Sequence, residues 1–158
     1  MADCYAAKIT IGGSLPIQLV DEFIKKLEAE EVALSWSDFP ADAVEIRNYI
    51  QNNDGPLVFV NGEAVHGEFT GVEQFCKDHN LAFCRHNSAH GEVDCQLEWF
   101  DPNGLSGTVD SNEAEEVLIP LEEIGKIMQG PSATIRKRLE DLLAVKVPVA
   151  TPRFSLVQ

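Results

Sequence analysis

The chain predicts an α+β protein of two layers: a mixed or mainly antiparallel sheet, helices packed on one face, and a C-terminal amphipathic helix. Three observations carry that expectation. Leu19, Val20, Phe23, Ile24 and Leu27 recur at helical spacing. EVDCQLEWF, residues 92–100, alternates strictly, with Val93, Cys95, Leu97 and Trp99 on one face and Glu92, Asp94, Gln96 and Glu98 on the other. Turn-forming pairs sit between apolar runs, as at Asn61-Gly62 and Asn103-Gly104.

The elements follow in order. YAAKITI, residues 5–11, reads as a strand ended by Gly12-Gly13-Ser14. Ser14 is a suitable N-cap and Pro16 suits a first helical turn, so residues 15–30 are expected as a helix. VALSWS, 32–37, reads as a second strand, and 42–52 as a helix carrying Val44, Ile46, Tyr49 and Ile50. LVFV-NG-EAVH reads as a hairpin with a two-residue type I′ turn at Asn61-Gly62. Residues 70–79 form a short helix, and LAFCRH, 81–86, another strand. EVDCQLEWF, the turn Asp101-Pro102-Asn103-Gly104 and LSGTV make a second hairpin. DSNEAEE, 110–116, is an acidic loop. LEEIGKIM is a short helix, Gly130-Pro131 a break, and Ser132 caps the basic helix ATIRKRLEDLL. The tail VKVPVATPRFSLVQ is extended. No internal repeat or low-complexity segment is present.

A chain of 158 residues suits one domain, here an acidic body over 1–123 with a basic helix and tail over 124–158. At this size folding buries about 68–70% of the unfolded surface, so a core forms without disulfides or metal. The longest apolar runs fall far short of the ~20 residues of a membrane span. The start, MADCYAAKITIGG, lacks a basic segment followed by an apolar one, so the expected compartment is cytoplasmic and the four cysteines are reduced.

Charge is divided unevenly. Residues 1–123 hold 24 acidic and 6 basic side chains, a net of −18, and residues 124–158 hold 2 and 6, a net of +4. Such a body repels nucleic acid and anionic membranes and attracts a basic protein surface. Solubility alone is the plainer consequence of the same charge.

Three of four cysteines and three of four histidines fall within residues 76–95. A zinc site would take Cys76 and His79 from the helix, then Cys84 and His86 from the strand, with His90 a further donor. Periodicity opposes it. Cys76 shares a helix face with Val72 and Phe75, while Leu81 and Phe83 claim the core side of their strand and turn Cys84 and His86 away. Cys95, among Val93, Leu97 and Trp99, is a core position, and free cysteine packs as a small hydrophobe. No cysteine sits at a predicted helix N-terminus, where a thiol would be activated. The expectation is core cysteines beside exposed histidines, with no cofactor.

Pro56, LVFV and then Asn61-Gly62 resembles a segment of the thioredoxin and glutaredoxin families, and the order strand, helix, strand, helix, hairpin, helix over residues 5–80 is similar to theirs. The Cys-x-x-C or Cys-x-x-Ser those families carry after the first strand is replaced by GGSLP, so the resemblance implies a scaffold and no thiol–disulfide chemistry.

Glu92, Asp94 and Glu98 recur on one strand face at about 6.6 Å, twice the ~3.3 Å rise per residue. With Asp101 they are the candidate partner-binding residues, as a carboxylate row imitating phosphates. A polar outer face is also what any half-buried strand needs. Glu115-Glu116 and Glu122-Glu123 are adjacent pairs and point two ways, unlike a converging acid–base pair. Gly12-Gly13-Ser14 lacks the glycine spacing and lysine of a phosphate loop. The basic C-terminal helix offers a stripe of Ile135, Leu139, Leu142 and Leu143 to the body, to a second copy or to a partner.

The function expected is a non-enzymatic, acidic protein-binding module, in its sharper form a decoy for a nucleic-acid-binding surface of the kind that anti-defence proteins of mobile elements use. A small metal- or thiol-dependent protein built on residues 76–95 is the second class. An oligomer assembled through the C-terminal helix is the third.

Overall fold

The computed structural model describes residues 3–89, 94–148 and 150–158. It is an α+β fold built on one six-stranded sheet. Strand β1 (Cys4–Pro16) is central and long. It pairs antiparallel with β2 (Leu57–Val65) on one side and β3 (Ala82–Asn87) on the other. Strands β4 (Gln96–Phe100) and β5 (Ser106–Asp110) extend the sheet antiparallel beyond β3, giving the order β2-β1-β3-β4-β5. The last strand, β6 (Phe154–Val157), runs parallel to β1 along Gly13–Pro16.

Helices α1 (Val20–Ala29), α2 (Ala43–Asn52) and α3 (Thr70–Asp78) supply Phe23, Leu27, Ile46, Val72 and Phe75 to the main core. The sheet answers with Ile9, Ile11, Leu57, Phe59 and Phe83. Helix α2 starts as its sequence dictates: Asp42 accepts from the Val44 and Glu45 amides, and Glu45 reaches back to the Asp42 amide, a complete capping box. The second hairpin also forms, though its first strand begins at Gln96 and not at residue 92, residues 92 and 93 lying outside the described residues. Asp101 Oδ1 accepts from the Asn103 amide and Gly104 adopts φ +95°, the left-handed conformation such a turn requires.

Three local expectations are overturned. The first strand does not end at Gly12-Gly13 but runs on to Pro16, followed by a short 3₁₀ turn, Ile17–Leu19. Ser14 therefore caps no helix, and its hydroxyl lies 3.1 Å from that of Ser155. The returning tail is the cause: β6 offers Gly13–Pro16 a strand partner, a contact remote in sequence. Gly12 permits this approach, because a Cβ there would lie 1.9 Å from the Pro152 carbonyl oxygen.

Asn61-Gly62 makes no hairpin turn either. Leu57–Val65 is one continuous strand, and the pairing shifts between Tyr5↔Ala64 and Ala7↔Asn61, so Gly62 and Glu63 sit in a bulge. Asn61 stabilises the bulge by accepting from the Glu63 amide and donating its side-chain N–H to the Glu30 carbonyl. The expected strand at 32–37 shrinks to a single bridge, Ala33↔Val60. Beyond it the Ser35 hydroxyl bonds Asp38 at 2.7 Å, a local competitor to strand pairing. With that strand and hairpin gone, the order of elements that resembled thioredoxin is not the order of this fold.

The C-terminal segment brings α4 (Leu121–Ile127) and α5 (Ser132–Lys146); Ser132, expected as the cap of the latter, is instead its first helical residue, because Pro131 takes the cap position and no side chain caps the helix. Neither helix has a fully buried residue. The tail after them is docked: Phe154 is 4% exposed and its ring stacks on Phe23 at 6.2 Å. No helix of the described residues is long and apolar enough to cross a membrane.

Candidate functional site

The two sheet faces carry different chemistry. On the helix-covered face Arg85 is buried at 5% exposure. Its Nη1 donates to the Gly67 carbonyl at 2.9 Å, and its Nη2 pairs with Glu98 at 2.5 Å. Its Nε stands 2.7 Å from Glu73 Oε1, but the N–H is not aimed at that oxygen, so the contact is Coulombic. Glu73 also accepts from the Phe69 amide. Burial pushes the Glu73 carboxyl above the ordinary glutamate range, with Arg85 opposing. This acid–base–acid group is a structural joint between α3, β3 and β4.

Glu98 is thereby placed. Strand β4 turns Leu97 and Trp99 away from the helices, into a small cluster with Val109, Cys84 and Val117, and turns Glu98 toward Arg85. Glu98 is an ion-pair partner and not an unengaged carboxylate. Of the other three candidate partner-binding residues, Asp94 is exposed just before β4 and Asp101 sits in the turn after it. Glu92 and His90 lie outside the described residues.

The Cys/His stretch separates much as periodicity implied. Cys76 is fully buried in the helix-side core, and His79 packs on Phe75 with ring centroids 4.3 Å apart. Cys84 and His86 are on the opposite sheet face, as expected. His86, however, is not exposed: it is 6% accessible, covered by the 110–117 loop. Its Nε2 lies 3.1 Å from the Asn112 carbonyl, and since a carbonyl only accepts, Nε2 carries the hydrogen there. Among the described residues no group of three or more His, Cys, Asp or Glu side chains is placed to hold a metal ion. No disulfide joins the four cysteines. Burial, then Glu115, pushes the Cys84 thiol up to about 11. Burial and the thiol's hydrogen bond to Glu113 raise Cys95, and burial raises Cys76. These three thiols are held protonated, the opposite of an activated nucleophile.

Where the second face meets solvent, a surface of different character appears. The loop 34–40 presents Trp36 at 58% exposure and Phe39 at 90%. Its ends are tied together. Ala33 exchanges backbone hydrogen bonds with Val60, the Ala41 amide donates to the Val32 carbonyl at 2.8 Å, and Ala41 is buried. Inside it, Ser35 bonds both Ser37 and Asp38. Closed surface loops of this kind are compact and frequently functional.

Trp36 borders a depression of about 250 Å³ with Ala6, His86, Ser88, Glu113 and Glu115. Glu115 pairs with Lys8 across β1. Glu113 accepts from the Cys95 thiol at 3.3 Å and the Ala89 amide at 3.2 Å, and those bonds hold its carboxyl below the ordinary range. Phe39 borders a second depression with Leu34, Asp38, Pro40 and Glu45. The loop at 112–116 is itself organised by Asn112, whose Oδ1 accepts from the Ala114 and Glu116 amides. Two aromatic side chains thus stand in water with carboxylates at their edges.

Trp36 falls in the stretch 32–37 expected as a strand, and Phe39 lies just beyond it. The cluster Ser35, Ser37, Asp38, Pro40 was the available sign of a loop. No family model, no curated protein and no solved structure matches this chain.

Proposed function

We propose that this is a non-enzymatic protein-binding module that docks a basic partner surface through the loop 34–40 and the carboxylates beside it. The observation that carries the proposal is the exposure of Trp36 and Phe39 on a loop whose ends are pinned by backbone hydrogen bonds. Exposed large aromatics cost hydration free energy in the unbound chain and are the residue types that dominate binding interfaces. A pre-tied loop loses little entropy on docking. The chemistry of the rim selects the partner. Glu113 beside Trp36, and Asp38 and Glu45 beside Phe39, favour arginine or lysine side chains, which pair with carboxylates and stack on aromatic faces. The acidic body strengthens long-range attraction to such a partner. Three protonated thiols are the opposite of what thiol catalysis needs.

A fluorescently labelled Arg-Gly-Gly repeat peptide, with a Glu-Gly-Gly repeat as control, tests this by anisotropy. The arginine peptide should bind with an affinity that falls with salt, and Trp36→Ala should weaken it by about thirtyfold, the ~2 kcal/mol typical of an aromatic hot spot. Equal binding of both peptides, or no loss in the Trp36→Ala, Phe39→Ala double variant, would sink the proposal.

A further inference from the structure

We infer a second binding site, for a small flat aromatic cation, in the half-enclosed pocket between the β4–β5 turn and the C-terminal tail. It does not rest on the docking surface described above and shares no residue with it.

The pocket measures about 300 Å³, the lower end of the range for small-ligand sites. Phe100, half-buried, is the aromatic side chain open to it; Phe83, buried, backs that ring with centroids 5.9 Å apart, and Trp99 borders the pocket from the opposite-face cluster. The tail residues Ala150, Thr151 and Pro152 form one wall. The β4–β5 turn forms another, through Asp101, Pro102 and Asn103.

Its polar groups favour a cation. Asp101 is the one ionisable side chain in the lining. Its Oδ1 is engaged by the amide and side chain of Asn103, while Oδ2 has no hydrogen-bond partner among the described residues. The Thr151 hydroxyl and the Asn80 side chain likewise make no hydrogen bond among the described residues, and they add neutral donors and acceptors. Aromatic faces attract cations; Lys77 Nζ already takes the Phe83 ring, 5.5 Å from its centroid, so Phe100 is the ring available to a ligand. A ligand with a planar apolar body and one amidinium or ammonium group would place the body against Phe100 and the charge on Asp101 Oδ2. An anion would meet Asp101 and the field of a chain of net charge −14.

The wall formed by the tail exists only because the tail is docked. Gly12 leaves room for the Pro152 carbonyl, Phe154 anchors in the core, and β6 pairs with β1. The site is therefore completed by residues far apart in sequence, from β1, β3, β4 and the tail.

The test uses the full chain with Trp36→Phe, which leaves Trp99 as the sole indole. Benzamidine is the cationic probe and benzoate its anionic counterpart of similar shape. Benzamidine should change Trp99 fluorescence saturably, and amide chemical shifts should move at Asn80, Asp101 and Thr151. Asp101→Asn keeps an acceptor for the Asn103 amide, so the turn is retained, and it should weaken benzamidine about tenfold through loss of one charge-assisted contact. Benzoate should produce no saturable change. The inference is overturned if benzamidine gives no saturable signal, if benzoate binds equally well, if Asp101→Asn binds as tightly, or if the shifts are confined to residues around 36, 88 and 113.

Discussion

The two faces of this sheet are built from the same strands yet do different work. The helix-covered face is a deep core, with Ile9, Ile11, Leu57 and Phe59 fully shielded and one buried ionic group at its edge. The opposite face has a small apolar cluster of Leu97, Trp99 and Val109, and otherwise relies on a loop, a histidine and carboxylates. The difference teaches where each kind of side chain can be spared. Stability is concentrated under the helices. The second face keeps enough packing to hold its shape and leaves aromatic and acidic groups in solvent.

Removing Arg85 should give the largest effect. Arg85→Met would leave Glu73 and Glu98 facing each other with no cation between them. Breaking a buried pair from one side costs about 3–5 kcal/mol, read as a lowered urea midpoint. On the other face, His86→Ala should cost about 1–2 kcal/mol, the scale of one hydrogen bond with some packing. Equal losses would erase the contrast.

Core truncation sharpens the same comparison. Phe59→Ala should cost about 3–5 kcal/mol, since its ring is fully shielded in the large core. Leu97→Ala, in the three-residue cluster, should fall near the lower end of the leucine range, about 2 kcal/mol, because fewer neighbours lose contact.

Acidity separates the faces without mutating the core. Glu73 has a folded pKa above its ordinary value, so the folded chain holds this proton more tightly than the unfolded one. Its contribution to stability is complete below the ordinary glutamate pKa and is lost as pH rises through the raised folded value. The stability of the native chain relative to Glu73→Gln should therefore increase on acidification through that window. Glu113, lowered by its hydrogen bonds, acts in the opposite direction: its contribution is present above the ordinary pKa and lost as pH falls through the lowered one. Urea titrations of Glu73→Gln and Glu113→Gln across this range should show opposite slopes against the native chain.

The smallest effect on stability is the most informative for function. Trp36→Ala with Phe39→Ala should change the urea midpoint by no more than about 0.5 kcal/mol, as exposed positions do, while removing peptide binding. A large stability loss would mean that the loop 34–40 is structural.

Much of this was legible in the chain. The amphipathic helices α1 and α3 and the β4–β5 hairpin follow from spacing and from turn chemistry within a few residues. So does the separation of Cys76 from Cys84 and His86, because side-chain direction alternates along a strand. Trp36 and Phe39 were less legible, because Val32, Ala33 and Leu34 before them look like a strand start, and only the tertiary pairing limits that strand to one bridge.

By itself, then, the sequence determined the α+β class, the acidic character and which residues of α1 and α3 face inward, because those depend on local periodicity and composition, whereas Val44 of α2 and the stripe of α5 stay unburied. Tertiary structure alone decided three things. It made Asn61-Gly62 a bulge, since a 13-residue β1 pairs along the whole of Leu57–Val65. It turned Glu98 toward the helices, since strand alternation shows that two faces differ but not which one the helices cover. It also carried β1 through two glycines to Pro16, since the strand that pairs there arrives from the other end of the chain.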